Sequence, residues 1–176
     1  MKLSVKSTVS VAAASFSIYA YEALKDELEN VDELRFIFTS PTFIQDKAKK
    51  EKREFFIPKL NRERNLYGSD FEVKLRNKLE QKAIAKECAD WIRRKVKFKS
   101  NASQEGMGGF LHVKNQKQSA YVPFNEFTTT ELGCERGNAI YSMVNVMPSP
   151  FAEEYLKIFN EQWQNSDKFK DVTAQV

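Results

Sequence analysis

The chain has 176 residues, of which 41% are hydrophobic and 12% aromatic, with 14 Phe; this suits one domain with a real core and excludes a disordered chain. Charged residues make up 30% but the net charge is only +4, which permits an anionic partner without demanding one. Two cysteines outside any CxxC pair and a single histidine exclude a disulfide framework and a zinc ligand set, so no metal or cofactor is expected and the cytoplasm is the expected compartment. The apolar stretch from Val9 to Ala20 is broken by Ser10, Ser15 and Ser17 and is too short to span a bilayer, so no membrane partner is expected.

Leu3, Val5, Ser7, Val9 and Val11 alternate with mostly polar neighbours, which predicts a strand. Phe16, Tyr19, Ala20, Ala23, Leu24 and Leu28 fall on one face of a helix from Phe16 to Asn30. Leu34 to Thr39 is a nearly continuous apolar run closed by Ser40-Pro41, as in a strand buried on both faces. Lys47 to Arg64 holds eight Lys or Arg against three Glu, an excess of five positive charges around Phe55-Phe56-Ile57-Pro58. Such a polar excursion between core elements is unusual; it reads as a solvated surface or as a nucleic-acid contact.

Glu72 to Lys95 is the clearest helix, with Leu75, Leu79, Ile84, Cys88, Trp91 and Ile92 as its stripe. Arg93, Arg94, Lys95, Lys97 and Lys99 follow, five cations in seven residues. They suit either a helix C-terminus or nucleic acid, with Arg93, Lys95, Lys97 and Lys99 as the candidate contacts. Val96 to Lys99 alternates as a strand; Gly106, Gly108 and Gly109 mark a turn; Phe110 to Lys114 and Ala120 to Phe124 form a β-hairpin around Asn115 to Ser119. Ile140 to Val146 is another strand candidate. Ser149-Pro150 reads as an N-cap and first helical residue before Phe151, Tyr155, Ile158, Phe159 and Trp163 at helical spacing. The order predicts an α/β fold, a mixed central sheet with helices packed on both faces. The domain spans 1–165, and the polar tail 166–176 reads as a linker.

The stretch richest in chemistry is FLHVKNQKQSAYVPFNEFTTTELGCERGNAIYSMVN, Phe110 to Asn145. His112 and Lys114 lie two apart on a strand and share a face, and the hairpin is expected to bring Asn125 back towards them. Asn125 could equally cap a helix beginning near Thr128.

Here the chain resembles the phospholipase D superfamily, whose members carry H-x-K, a strand ending in a G-S-x-N-like segment, and an F-T-x-x-x-L-G-like helical start. The matches are His112, Lys114, Asn125 and Phe127 to Gly133. The segments ELRFIFTSPTF, AIAKECADWIR and NEFTTTELG are similar to those of the single-HKD nuclease domains N-terminal to bacterial superfamily-two helicases, over about Glu22 to Trp163. The resemblance implies a phospholipase D-like fold and metal-independent cleavage of DNA. His112 would attack phosphorus, and Lys114 and Asn125 would hold the phosphate oxygens. It implies a homodimer with the site at its interface and a helicase domain in cis, beyond the tail. Glu135 is the nearest candidate for the acid that orients the His. A Lys ammonium and amide donors would stabilise the extra charge of the transition state, and a partly neutral His is a credible nucleophile. The Asp expected after Lys114 is absent, and Pro123-Phe124 replaces the Gly-Ser pair. These departures motivate the alternative, a degenerate module that binds nucleic acid or mediates dimerisation without cleaving.

Overall fold

The structure, a computed structural model, describes residues 7–40, 70–134 and 143–176, with the backbone alone over 70–78. The basic stretch Lys47 to Arg64 and Glu135 lie outside the described residues.

Seven strands make one mixed sheet. They are β1 (Ser7–Ala13), β2 (Val31–Phe38), β3 (Val96–Asn101), β4 (Phe110–Lys114), β5 (Gln118–Val122), β6 (Asn145–Pro148) and β7 (Phe169–Asp171), in the spatial order β6-β5-β4-β1-β2-β3-β7. β1, β2 and β3 run parallel, and every other pairing is antiparallel. The helices are α1 (Ile18–Ala23), α2 (Lys25–Glu29), α3 (Asp70–Lys95) and α4 (Phe151–Gln164).

Period-two alternation divides the sheet into two apolar layers. Val9, Val11, Leu34, Phe36, Phe98 and Val113 join Ala20, Leu28 and Trp91 from α1, α2 and α3 on one face. Ala12, Ile37, Phe110 and Phe169 join Phe159 of α4 on the other. The first layer is aromatic: Phe16 stacks on Phe127 at 5.2 Å and meets Phe36 and Phe98 edge-on. Phe36, Phe98 and Phe127 are almost wholly buried, each contributing about 2–3 kcal/mol by removal from water. The fold is thus α/β with helices on both faces.

Four expectations need correcting. The helix foreseen from Phe16 to Asn30 is two short ones meeting at Leu24, with Ser17 capping α1 through the Tyr19 N–H at 3.2 Å. Among the described side chains of the α3 stripe, Cys88, Trp91 and Ile92 are buried, while Leu79 is exposed. Ser149 does not cap α4; Pro150 holds the N-cap position and offers no side-chain acceptor. The tail is no linker, because β7 pairs with the edge of β3 and Phe169 and Val172 are buried. Thr173 clamps this edge, its hydroxyl accepting from the Phe98 N–H at 2.9 Å and donating to the Phe98 carbonyl at 3.2 Å. Two apolar residues in a polar stretch suffice to anchor an edge strand, so the domain extends past 165.

Candidate functional site

Strand register decides which polar groups meet. His112 on β4 faces Ser10 on β1, which faces Arg35 on β2. Lys114 faces Thr8, which faces Glu33. All six project from the sheet face that α4 covers, and with Leu156 and Asn160 of α4 they line a cavity of about 270 Å³. His112 and Lys114 therefore share a face, as their spacing predicts.

Arg35 is the hub of this cavity. Its guanidinium donates to Asn160 Oδ1 at 2.9 Å and to Ser10 Oγ at 3.1 Å, and it lies 5.0 Å from the Phe159 ring centroid and 5.7 Å from that of Trp163. Its Nε has no partner. Burial lowers the Arg35 pKa from its usual value, with Glu33 opposing. Glu33 itself pairs with Lys97 at 3.0 Å. Among the described residues neither Arg35 nor Lys114 forms an ion pair.

His112 is fully buried, and neither ring nitrogen has a hydrogen-bond partner. Burial pushes its pKa below the ordinary value; Gln118, beside it at a geometry looser than a hydrogen bond, opposes the shift, and Lys114 and Arg35 add to it. The imidazole is held neutral, yet with both nitrogens shielded it is poorly placed to approach phosphorus at the roughly 3–3.5 Å an attack requires.

Asn125 does not join the pair. An antiparallel return strand sets each residue opposite its mirror about the turn. His112 meets Ala120 and Lys114 meets Gln118, so Asn125 overshoots to the far end of the hairpin. There its carbonyl accepts from Ala14 N–H at 2.7 Å, and its neighbour Phe124 donates to the Gly109 carbonyl at 3.1 Å. Ala14 lies four residues past Ser10, roughly 13 Å along the strand direction. The backbone N–H groups of Asn125 and Glu126 are filled by the chain's own acid, Glu131 Oε2, at 2.8 and 2.9 Å. Glu131 N–H in turn approaches Thr128 Oγ1 at 3.4 Å. Residues 128–134 form a turn and no helix, so Asn125 caps none; Glu131 instead ties that turn to the end of the hairpin.

The remaining candidates are mostly engaged. Arg93 pairs with Asp90 at 2.8 Å, and Lys95 with Glu29 at 3.6 Å beside Arg94, which holds Glu29 at 2.8 Å. Lys97 is tied to Glu33, and Lys99 Nζ donates to the Trp163 carbonyl at 2.6 Å. The cations at the end of α3 thus serve local pairing. Buried Cys88 is pushed up to about 12 by desolvation and is inert, while Cys134 is exposed. Among the described residues no group of three His, Cys, Asp or Glu could hold a metal, and no helix is long and apolar enough to cross a membrane. A second cavity, of about 350 Å³, lies by Gly106 to Phe110; its charged groups, Glu105 and Lys168, pair with each other at 2.7 Å.

Arg35, Ser10 and Asn160 were not among the residues the sequence singled out. The one available signal was a charge inside an otherwise apolar strand run. Compared with known proteins, the chain matches no family model and no curated protein.

Proposed function

We propose that this is a phospholipase D-like module that has lost hydrolysis and contacts nucleic acid, a cytoplasmic accessory to a helicase motor in cis. The carrying observation is the β4–β5 register. It leaves Asn125 at one end of the hairpin, with its backbone donors already occupied by a carboxylate. It sets Lys114 and Lys117 at the other end, exposed and without ion pairs among the described residues. Beside Asn125 stand Gly109 and Phe110, which bear neither imidazole nor ammonium. The basic composition of Lys47 to Arg64 adds phosphate-seeking charge. The homodimer belongs to the same reading and rests on the resemblance.

The test is anisotropy of labelled DNA across a salt series, alongside a cleavage assay in EDTA. Binding should weaken with salt, and Lys114→Ala and Lys117→Ala should each reduce the salt slope by about 1. DNA should stay intact. Cleavage in EDTA that disappears in His112→Ala would restore the nuclease, and absence of binding at low salt would end the nucleic-acid reading.

A further inference from the structure

We propose that the second cavity, at the glycine-rich entry to β4, binds an uncharged nucleobase against Tyr155, with its edge met by the Gln162 amide and the open backbone of Gly106 to Gly108. This cavity lies at the opposite end of β4 from Lys114 and carries no net charge, so it does not depend on the phosphate contacts proposed above.

Its volume of about 350 Å³ falls within the roughly 300–1,000 Å³ of small-molecule sites. It opens where the parallel strands end: Asn101 closes β3, and Phe110, the first residue of β4, pairs with Ala12 near the end of β1. Ligands of open α/β sheets gather at the carboxyl ends of the strands. The loop entering the cavity is pinned at its start. Buried Asn101 donates through Nδ2 to the Thr39 carbonyl at 3.2 Å and the Glu105 carbonyl at 2.8 Å. Its Oδ1 accepts from the Ser103 N–H at 2.9 Å and hydroxyl at 2.7 Å. Beyond Glu105 the pinning stops. The backbone groups of Gly106, Met107 and Gly108 make no hydrogen bond among the described residues, and a Cβ added at either glycine meets nothing within 4 Å.

The lining selects an uncharged ring. Its two charged groups, Glu105 and Lys168, neutralise each other at 2.7 Å, so neither a phosphate nor an ammonium meets a free counter-charge. Tyr155, Ile158 and Gln162 follow at helical spacing, so α4 sets a ring, an apolar side chain and an amide in a row along the cavity. The Tyr155 ring is half-buried and braced on Phe110 at 5.3 Å, and Ile158 is 45% exposed. Neither the Tyr155 hydroxyl nor the Gln162 amide has a hydrogen-bond partner among the described residues. A nucleobase is apolar on its faces and carries donors and acceptors along its edges. Its faces suit the aromatic surface, and its edges suit Gln162, which both donates and accepts, and the open N–H and C=O groups of the loop. A saturated apolar ligand would bury those groups unpaired.

The amide NMR signals of Gly106 and Gly108 report on the mouth directly. Titrating the whole chain with adenosine, guanosine, cytidine and uridine, against ribose and cyclohexanol, should shift those signals saturably for a nucleoside and for neither control. The affinity should stay within about twofold as salt rises, because no charge is paired. Gln162→Ala should weaken it about fivefold, the loss of one neutral hydrogen bond. Ile158→Trp fills the mouth from an exposed position and should abolish the shifts with the melting temperature retained. The source of the base follows from a second titration. A single-stranded oligonucleotide that shifts the same signals, when its abasic twin does not, identifies an unpaired base in a strand; a response to nucleosides alone identifies a free nucleoside. No saturable shift with any nucleoside or base-bearing strand, an equal shift with cyclohexanol, or binding unchanged in both Gln162→Ala and Ile158→Trp overturns the site. Lys114→Ala should leave these shifts as they are, so failure here is distinguishable from failure of the nucleic-acid reading.

Discussion

His112 couples the cavity to stability in a measurable way. Its folded-state pKa lies below the ordinary 6.5, chiefly through burial. Above pH 6.5 both folded and unfolded forms are neutral at this ring. As pH falls through 6.5 the unfolded chain takes a proton that the folded ring resists. Stability should therefore fall by up to about 1.4 kcal/mol per pH unit until the folded pKa is reached. Urea denaturation from pH 7.5 to 5 should show this slope in wild type and lack it in His112→Leu. At pH 7 the Leu variant should be as stable as wild type or about 1 kcal/mol more so, because it removes an unpartnered buried polar group. A loss of several kcal/mol, or an unchanged slope, would mean that the ring has a partner. The shared face of His112 and Lys114 was legible from period two alone. The sealing of the imidazole was not, because it depends on how α4 lies across the sheet, and no local pattern states that.

At the level of elements, the hairpin shows what sequence can and cannot fix. Alternation located β4 and β5 and put polar residues between them, but the return strand starts at Gln118, two residues before the expected Ala120. Even the expected turn would have carried Asn125 past His112, so the error lay in geometry and not in pattern. The helical start expected near Thr128 is a turn, held by Glu131 accepting from Asn125 and Glu126 N–H. The break between α1 and α2 at Leu24 has neither Gly nor Pro to announce it. The glycines of the loop before β4 differ sharply in a way only packing reveals. A Cβ on Gly109 would lie 2.1 Å from the Phe124 carbonyl oxygen, whereas one on Gly108 meets nothing within 4 Å. Gly109→Ala should thus cost about 1–3 kcal/mol by forcing the two backbones apart, and Gly108→Ala should cost much less. Denaturation midpoints of the pair test this; equal midpoints would show that Phe124 does not hold Asn125 at the far end of the hairpin.

For the whole molecule, the sheet edge shows that the fold runs past residue 165. Fold class was legible because helical and strand periods are local, and the layers followed from which faces were apolar. The last strand was illegible because a three-residue edge strand has almost no pattern, and its flanks are charged. Yet Phe169 is 4% exposed and Val172 2%, and each touches a different layer of the core. β7 thereby closes both apolar layers at the β3 edge, covering backbone groups that would otherwise template unwanted pairing. A chain cut after Asn165 should lose cooperative unfolding or a large share of its stability. Phe169→Ala alone should cost about 3–5 kcal/mol, the range for emptying a buried aromatic site. Lys170→Ala, exposed on the same strand, should change stability by no more than about 0.5 kcal/mol and controls for handling the tail at all. Should the truncated chain unfold as cooperatively and at the same midpoint as the full one, the tail would be a linker after all. The two apolar residues would then be incidental contacts and not the closure of the sheet.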